Sequence, residues 1–316
     1  MSEGLRPTVL LGHPRYFRIA HGVNPHTRDP WGRRKVVERG RALAQWERFR
    51  QWLLDLGVQV LVLPPAPMHP GTVFPANAGF LVNGIVYLSR LNPARAGERE
   101  WYRRWFEQHA IPVADLPGLP YQWEGEADTC AVGDPSGDPG RTVYLFTHGR
   151  LERQRWTWRR GWPPYRRIYG FRTDARVLPA IQQVLAPHEV IPLELVDERY
   201  YHGDTCLCAF GPRREYLLAY LPALAPGARQ QVRDRFGDRL LQLTEADAAV
   251  FAANAYQVDT PRPTLLIAHQ VSAGLQAAIR QRGVEPSLVD VSEFLATGGG
   301  SVKCLLLHLG DRPHRT

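Results

Sequence analysis

Short apolar runs alternate with longer amphipathic segments along the whole chain. The runs at 8–12 and 58–63 are closely followed by proline, a pattern typical of buried strands, and 142–146 forms a similar run. Apolar residues at about 3.6-residue spacing predict a helix over 34–56, closed by Gly57. The same reasoning predicts further helices at 97–109, 173–185, 226–236, 245–254 and 272–281.

The remaining apolar segments predict strands separated by turn residues. Asn83-Gly84 predicts a tight hairpin turn between two short strands, and the Pro- and Gly-rich segment 134–141 predicts a hairpin tip. Other strands are predicted at 189–195, 216–220, 240–243, 264–269 and 287–290. Strand, loop, helix and strand recur with no linker between them, so we expect residues 1–316 to form one α/β domain.

The composition is that of an ordinary globular protein. Of 316 residues, 44% are hydrophobic and 22% are charged, and no apolar run approaches the ~20 residues that span a bilayer. The first residues lack the apolar core of a signal peptide, and four cysteines are too few for a disulfide framework at this length. We therefore expect a cytoplasmic protein with reduced thiols and no membrane partner.

The net charge of +8 has a local source. Between His148 and Arg172 the chain carries eight arginines and one acid, Glu152, interleaved with tryptophan and tyrosine. Arginine among aromatic rings is typical of surfaces that bind single-stranded nucleic acid, but no known nucleic-acid module surrounds the run. The favoured interpretation is an insertion at about 148–168 whose arginine stems cover aromatic rings, and a nucleic-acid partner is not expected.

Polar residues of complementary chemistry lie in the loops at strand ends. They are Asn24, Asn77, Glu124, Asp128, His202, Asp204 and Cys304. In an α/β sheet such loops can converge on one site. Taken singly, each residue is better explained as a turn former, a solvated acid or an ordinary histidine or cysteine. Together they supply a thiolate with acid-base assistance, and several carboxylates would suit a planar guanidinium.

Cys304 follows the glycines at 298–300 and precedes an apolar strand. Three glycines let a neighbour or ligand approach closely, and they predict a cysteine at a loop–strand junction rather than deep in the core. The adjacent Lys303 is expected to help hold a thiolate, because nearby positive charge lowers a thiol pKa. Considered alone, Cys304 is also compatible with a buried structural cysteine.

Metal and cofactor sites receive little support from the sequence. His202, Cys206 and Cys208, with Asp204 among them, are residue types that bind zinc, but their spacing matches no recognised zinc pattern. Neither a GxGxxG segment nor a Walker sequence is present. We therefore expect neither a metal nor a cofactor.

Seven segments spread over nearly the whole chain carry a joint resemblance. They are His21-Gly22-Val23-Asn24-Pro25, Phe74-Pro75-Ala76-Asn77-Ala78-Gly79, Glu124-Gly125-Glu126-Ala127-Asp128, Tyr169-Gly170-Phe171-Arg172-Thr173, Tyr200-Tyr201-His202-Gly203-Asp204-Thr205, Asp247-Ala248-Ala249-Val250-Phe251-Ala252-Ala253-Asn254 and Gly298-Gly299-Gly300-Ser301-Val302-Lys303-Cys304. Together they resemble the pentein superfamily, which includes amidinotransferases and dimethylargininase-like hydrolases. The asparagines at positions 24 and 77 look most like those of the bacterial arginine dihydrolase branch.

The resemblance implies a five-bladed α/β propeller of ββαβ units around a pseudo-fivefold axis, with the polar loops lining its central channel. It implies that Cys304 attacks the guanidinium carbon as a thiolate and forms a covalent thioether intermediate. His202 would shuttle protons with help from Glu124. The residues that would bind substrate are Asp128, Asp204, Asn77, Asn24 and Arg172. Among them, Arg172 is the candidate for binding a carboxylate group of the substrate.

The implied function is a hydrolase, without a cofactor, of arginine or a related guanidino compound. Two alternatives remain, an amidinotransferase on the same fold and a non-catalytic protein that binds a guanidino ligand or nucleic acid. The sequence also leaves a homo-oligomer open. His202-Gly203-Asp204 departs from the more usual His-Leu-Asp of the family, a change expected to loosen the packing behind the histidine.

Overall fold

The computed structural model describes residues 5–118, 120–133, 142–158, 160, 162 and 164–313. The segment 134–141, expected to be a hairpin tip, lies outside the described residues. Within the described ranges the chain forms seventeen strands, seven α-helices and a series of one-turn 3-10 helices.

Fifteen of these strands form five separate three-stranded sheets with a common design. The first sheet contains β1 (Leu5–Gly12), β2 (Gln59–Leu63) and β17 (Leu306–Pro313), and the second contains β3 (Gly79–Val82), β4 (Ile85–Leu88) and β5 (Val113–Asp115). The third contains β6 (Thr129–Gly133), β7 (Thr142–His148) and β10 (Glu189–Glu194). The fourth contains β11 (Leu207–Phe210), β12 (Tyr216–Ala219) and β13 (Leu240–Gln242), and the fifth contains β14 (Tyr256–Val258), β15 (Thr264–Ala268) and β16 (Glu285–Val289). In every sheet the middle strand pairs antiparallel with one neighbour and parallel with the other.

A helix links the two parallel strands of each sheet. These helices are α1 (Arg39–Asp55), α2 (Glu98–Gln108), α3 (Leu178–Leu185), α4 (Pro226–Phe236) and α6 (Ala273–Arg280). Parallel strands need such a crossover, whereas antiparallel neighbours can be joined by a tight turn. Asn83 and Gly84 make the predicted turn, with φ angles of 49° and 81° that suit a type I′ hairpin. Among the described helices, none combines the length and apolar character needed to cross a bilayer.

Several predicted bounds differ from the observed elements. The helix expected over 34–56 begins only at Arg39, because the backbone N–H of Lys35 donates to the carbonyl of Thr27 in a preceding turn. The helix expected over 245–254 is the shorter α5 (Glu245–Ala249), and β14 follows it unpredicted. Helix α7 (Ser292–Gly298) was also missed.

The basic aromatic stretch forms an antiparallel hairpin of β8 (Arg155–Trp158) and β9 (Tyr165–Ile168), outside the three-stranded sheets. Trp156 and Trp158 are 52% and 74% exposed. The Arg167 guanidinium lies 5.5 Å from the Trp156 ring centre, so one arginine does cover an aromatic ring. The residues of β8 and β9 do not line the cavity that lies beside Cys304.

The apolar core fills the space between sheets and helices. In one of its clusters, Phe49 of α1 packs with Val9 of β1, Leu306 of β17 and Phe294 of α7. Helix α1 turns its apolar side to this cluster, and Phe49 is fully buried whereas Leu43 is 39% exposed. Residues distant in sequence therefore meet in the core next to the strand that follows Cys304.

We predict that Phe49→Ala lowers the free energy of unfolding by about 3–5 kcal/mol, since it removes a buried ring and leaves a cavity. Leu43→Ala, on the exposed side of the same helix, should cost less than about 1 kcal/mol. Chemical denaturation measures both values. Equal losses in the two variants would contradict the burial of this face of α1.

Candidate active site

Four of the five sheets bring a polar residue to one place in the same way. In each, a one-turn 3-10 helix precedes the antiparallel edge strand. The turns are Pro75–Asn77, Gly125–Asp128, Gly203–Thr205 and Lys303–Leu305, which precede β3, β6, β11 and β17. Glu124 and His202 stand immediately before two of them. These turns lie beside one another, so the predicted convergence of polar loops is observed.

A cavity of about 260 Å³ opens beside these turns. Six of the eight predicted site residues line it, namely Asn24, Asn77, Glu124, Arg172, His202 and Cys304. Asp128 and Asp204 are not among its lining residues. A concave site of this size suits a small molecule.

His202 is buried between two carboxylates. Its Nδ1 lies 2.8 Å from Asp128 Oδ2, and its Nε2 lies 3.2 Å from Glu124 Oε2. Burial lowers the pKa of His202, but the two negative charges and their hydrogen bonds outweigh it and raise the pKa to about 10. The imidazole is therefore a cation at neutral pH and can give a proton to a departing group.

Asp128 is held by four groups of the protein and does not line the cavity. Oδ1 accepts hydrogen bonds from Thr147 Oγ1 at 2.7 Å and from the Gly203 N–H at 3.0 Å. Oδ2 accepts one from Thr173 Oγ1 at 2.6 Å in addition to its contact with His202. The sequence grouped Asp128 with substrate-binding residues, but its position behind His202 suits a role in orienting the imidazole.

Gly203 is required by this close packing. A Cβ at this position would lie 2.3 Å from Thr147 Oγ1, which is well inside van der Waals contact. The expectation that glycine loosens the packing behind His202 is therefore wrong, since here it permits a tight contact.

Glu124 is the carboxylate on the cavity side of His202. Its Oε1 accepts a hydrogen bond from the Asn92 N–H at 2.9 Å. Burial raises the pKa of Glu124, but the hydrogen bond and charge of His202, with Arg95 and Arg172, lower it to about 2. Glu124 is therefore ionised at neutral pH and presents a negative charge to the cavity.

Cys304 is 3% exposed, so it is more deeply buried than its glycine-rich neighbourhood indicated. Its Sγ donates to Asp204 Oδ2 at 3.5 Å. Burial and the charge of Asp204 raise the pKa of the thiol well above its ordinary value. Burial also raises the pKa of Asp204 to about 7. In this structure the cysteine is therefore a neutral thiol beside a carboxyl group that titrates near neutrality.

Lys303 does not serve the thiol, contrary to the expectation from its position in the sequence. Its Nζ forms an ion pair with Glu126 Oε2 at 2.7 Å and lies 5.6 Å from the Tyr256 ring centre. These residues line a second cavity of about 350 Å³, which Asp204 also borders. The ammonium therefore lies on the other side of the backbone from the cavity beside Cys304.

Arg172 lines the cavity with a fully buried guanidinium. Its Nη1 donates to the carbonyls of Gly170 and Phe171 at 3.1 and 3.3 Å, and its Nη2 donates to that of Val23. The Tyr201 ring centre lies 5.4 Å from the guanidinium carbon. Backbone carbonyls thus fix a positive charge at the cavity.

Arg95 is a second cavity cation that sequence reasoning missed. Its Nη1 donates to Asn77 Oδ1 at 2.9 Å, and its Nη2 forms an ion pair with Glu98 Oε2 at 2.8 Å. Nothing in its local sequence distinguishes Arg95 from the many other arginines of this basic chain. Only the folded arrangement links it, through Asn77, to His202.

Asn24 holds the glycine-rich segment in place. Its Nδ2 donates to the Gly298 carbonyl at 3.0 Å, and its Oδ1 accepts from the His26 N–H at 3.0 Å. Gly299 has a φ of 75°, and a Cβ there would lie 2.9 Å from Asn24 Oδ1. The expectation that these glycines allow close approach is confirmed. Asn24 and His26 approach Gly299, and the Phe74 ring approaches Gly298 and Gly300.

The candidate zinc ligands do not form a metal centre. Across the described residues, no group of three or more His, Cys, Asp or Glu side chains is placed to hold a metal ion. Cys206 Sγ approaches the His202 carbonyl at 3.9 Å, and Cys208 Sγ approaches the Ala255 carbonyl at 3.7 Å. Both thiols are buried and contribute to packing.

Two curated relatives match almost the whole chain. The N(G),N(G)-dimethylarginine dimethylaminohydrolase of Mycobacterium tuberculosis is 33% identical over 299 residues, which cover 94% of this chain and 83% of that enzyme. The bifunctional arginine dihydrolase/ornithine cyclodeaminase ArgZ of Synechocystis is 30% identical over 314 residues, or 98% of this chain. The chain spans only 38% of the length of ArgZ. No family model matches it.

Crystal structures of the N-terminal domain of ArgZ, described as an arginine dihydrolase, share the fold. One of them holds substrate and another is covalently bonded to a reaction intermediate; both match with a TM-score of 0.79 and 28% identity. The alignments cover 96% of this chain and 98% and 97% of those domains. The chain belongs to the pentein family. Its relatives and their structures confirm the resemblance to the penteins and the mixed α/β fold.

We predict that the imidazole of His202 stays protonated above pH 8, whereas His26, whose pKa is lowered by burial, is neutral at pH 7. Side-chain ¹⁵N NMR titration reports both rings. Asp128→Asn should lower the pKa of His202, because one of its two carboxylate partners is lost. A midpoint for His202 near its ordinary value of about 6.5 would contradict the two-carboxylate arrangement.

The raised pKa of His202 also makes stability depend on pH. The pKa of the His202 imidazole is about 6.5 in the unfolded chain and about 10 in the folded protein. The stabilisation of the folded state by protonated His202 is thus fully present below about pH 6.5, and it is lost as the pH rises toward 10. Denaturation at pH 6 and pH 9.5 should show a larger fall in unfolding free energy for the wild type than for Asp128→Asn.

Proposed function

We propose that this protein hydrolyses the guanidino group of arginine or a closely related compound, with Cys304 as the nucleophile. The observation that carries the proposal is the ionised pair of His202 and Glu124 on the cavity that Cys304 also lines. A proton donor, a negative charge and a thiol around one small cavity are the groups that guanidine hydrolysis through a covalent intermediate requires. The named activities of the pentein relatives support the same reaction class.

The charges around the cavity favour an amino acid with a guanidino side chain. The Glu124 carboxylate suits the planar, cationic guanidinium. The buried guanidinium of Arg172 suits a carboxylate, whereas Arg95 is already paired with Glu98. Asn77 lies between His202 and Arg95, with its Nδ2 3.2 Å from His202 Nε2 and its Oδ1 2.9 Å from Arg95 Nη1. We therefore favour arginine or an N-methylated arginine over agmatine, which has no carboxylate.

In the first half of the proposed reaction, the guanidinium charge beside Cys304 stabilises the thiolate, and Asp204 takes up the thiol proton. Sγ then attacks the guanidinium carbon and forms a C–S bond. The C–N bond to the departing amine breaks, its electron pair stays on nitrogen, and His202 gives its proton to that nitrogen. This leaves a covalent thioether intermediate and a neutral imidazole held by Glu124.

In the second half, the neutral imidazole of His202 accepts a proton from water as the water oxygen attacks the thioether carbon. The C–S bond then breaks with its electron pair on sulfur, and the O–H proton passes to the departing Cys304 sulfur as the C=O bond forms. Asp204 releases the proton it took in the first half to solvent, where the departed amine accepts it. Glu124 remains ionised throughout and stabilises the imidazolium whenever it forms. The ArgZ structure described as covalently bonded to a reaction intermediate supports a two-stage route.

We also propose that the five sheets surround a common axis as the blades of a five-bladed α/β propeller, within one domain spanning residues 1–316. The identical strand order of the sheets and the side-by-side turns before their edge strands support this arrangement. The stretch 148–168 is then an insertion in the third blade, between β7 and α3.

The test incubates purified protein with L-arginine, dimethylarginine and agmatine and quantifies ammonia, dimethylamine, citrulline and ornithine. We expect turnover of an amino acid and little turnover of agmatine. Cys304→Ser should lose at least about 1,000-fold in kcat, while the matched change Cys130→Ser, outside the cavity, should leave activity in place. Folded protein that turns over no guanidine would overturn the proposal, and transfer of an amidino group to glycine would indicate an amidinotransferase.

Two glutamates on one turn provide a further test. Glu124→Gln removes the negative charge that faces the cavity and holds the imidazolium, so kcat/KM should fall by about 10²–10⁴-fold. Glu126→Gln makes the same change two residues later, where the side chain contacts Lys303 instead, and should retain most of the activity. Comparable losses in both variants, measured by steady-state kinetics, would contradict the role given to Glu124.

A further inference from the structure

The fifth sheet also has a buried polar residue just before its antiparallel edge strand, at the position that carries Asn77 and Cys304 in two of the other sheets. Asn254 lies two residues before the edge strand β14, as Asn77 does before β3 and Cys304 before β17. Asn254 is completely buried. The roles assigned so far to the polar set do not use it.

Every hydrogen-bonding group of the Asn254 side chain is engaged at the nucleophile. Its Nδ2 donates to Cys304 Sγ at 3.2 Å and to the Asp204 carbonyl at 3.0 Å. Its Oδ1 accepts from the backbone N–H groups of Ser301 and Cys304, at 3.0 and 3.1 Å. One amide therefore ties together the glycine-rich segment, the nucleophile and the turn that carries Asp204.

The surroundings of Cys304 Sγ explain why such a donor matters. The sulfur is buried next to a carboxyl group, and both conditions disfavour a negative charge on it. The ammonium of Lys303 is engaged with Glu126 on the far side. A fixed N–H aimed at the sulfur costs no reorganisation when charge develops there, which is how preorganised donors stabilise anions in enzymes.

We propose that Asn254 positions Cys304 and stabilises its thiolate. The oxygen half of the amide fixes the backbone of the nucleophile, and the nitrogen half donates the hydrogen bond that the thiolate needs. This role rests on the proposed nucleophilic function of Cys304. In this proposal Oδ1 of Asn254 has a structural role and Nδ2 has a chemical role. Substitutions at position 254 test the two roles.

Asn254→Asp keeps an oxygen for the two backbone N–H groups but replaces the donor at Sγ with a second oxygen. Asn254→Ser removes the donor without adding charge, but its short side chain also gives up the oxygen contacts to the two backbone N–H groups. It serves as the neutral comparison and is used alone if the aspartate variant does not fold. Gln45→Glu is the matched control. Gln45 is also a buried amide, which donates to Asp290 Oδ1 at 2.8 Å and accepts from the Glu293 N–H at 2.9 Å, away from the cavity.

The experiment measures three quantities in the wild type and the three variants. The first is the pH dependence of Cys304 alkylation by iodoacetamide, which mass spectrometry detects. The second is the pair of steady-state constants kcat and KM, and the third is the midpoint of thermal unfolding. For both Asn254 variants we expect the alkylation midpoint to move up by about one pH unit or more, as expected when a hydrogen bond to a charged group is lost. We expect kcat to fall by about 10²–10³-fold, with KM changed much less. Gln45→Glu should lower the thermal midpoint but leave the alkylation midpoint as in the wild type.

An unshifted alkylation midpoint in the Asn254 variants would overturn the proposal. Activity would then fall only in proportion to lost folded protein, as for a residue whose role is purely structural. The outcome is separable from that of the proposed function. If the wild type turns over no guanidine, guanidine hydrolysis fails, while the alkylation profiles still decide whether Asn254 holds the thiolate.

Discussion

A protonated imidazole buried between two carboxylates is the interaction on which the rest of the site depends. Placing three ionisable groups out of contact with water is costly unless each has partners. Here Asp128 is satisfied by two threonine hydroxyls and a backbone N–H, and Glu124 by a second backbone N–H. The packing around His202 is dense for this reason, and a glycine is needed where Thr147 approaches.

The site draws on the segment just before the antiparallel edge strand of each sheet. A short turn before an edge strand delivers a carboxylate in one sheet, a histidine in another, a cysteine in a third and amides in the remaining two. These turns are brought together by the arrangement of the sheets rather than by proximity in sequence. Different chemical groups can therefore meet around one cavity without any long or irregular loop carrying more than one or two of them.

Much of this arrangement could be predicted from the sequence, because apolar periodicity reports strands and helices directly and the residue types of the site form a chemically complete set. The directions in which individual side chains point could not be predicted from the sequence. Lys303 adjoins Cys304 in sequence but faces a different cavity, and Asp128 contacts His202 without lining the cavity beside Cys304. Arg95 carries no local pattern that marks it, and Asn254 ends a segment of the family resemblance to which the sequence assigned no role. Helix α7 was missed because its end runs into glycines that predict a loop.

The pairing of β17 with β1 joins the two ends of the described chain within one sheet. Cys304 lies two residues before β17, so the proposed nucleophile is fixed in place by a contact between residues far apart in sequence. Contacts of this kind require a long loop to close, which is slow compared with the formation of local hairpins. Assembly of the reactive centre is thereby coupled to completion of the fold, and a chain that has not yet joined its ends has no organised thiol to react.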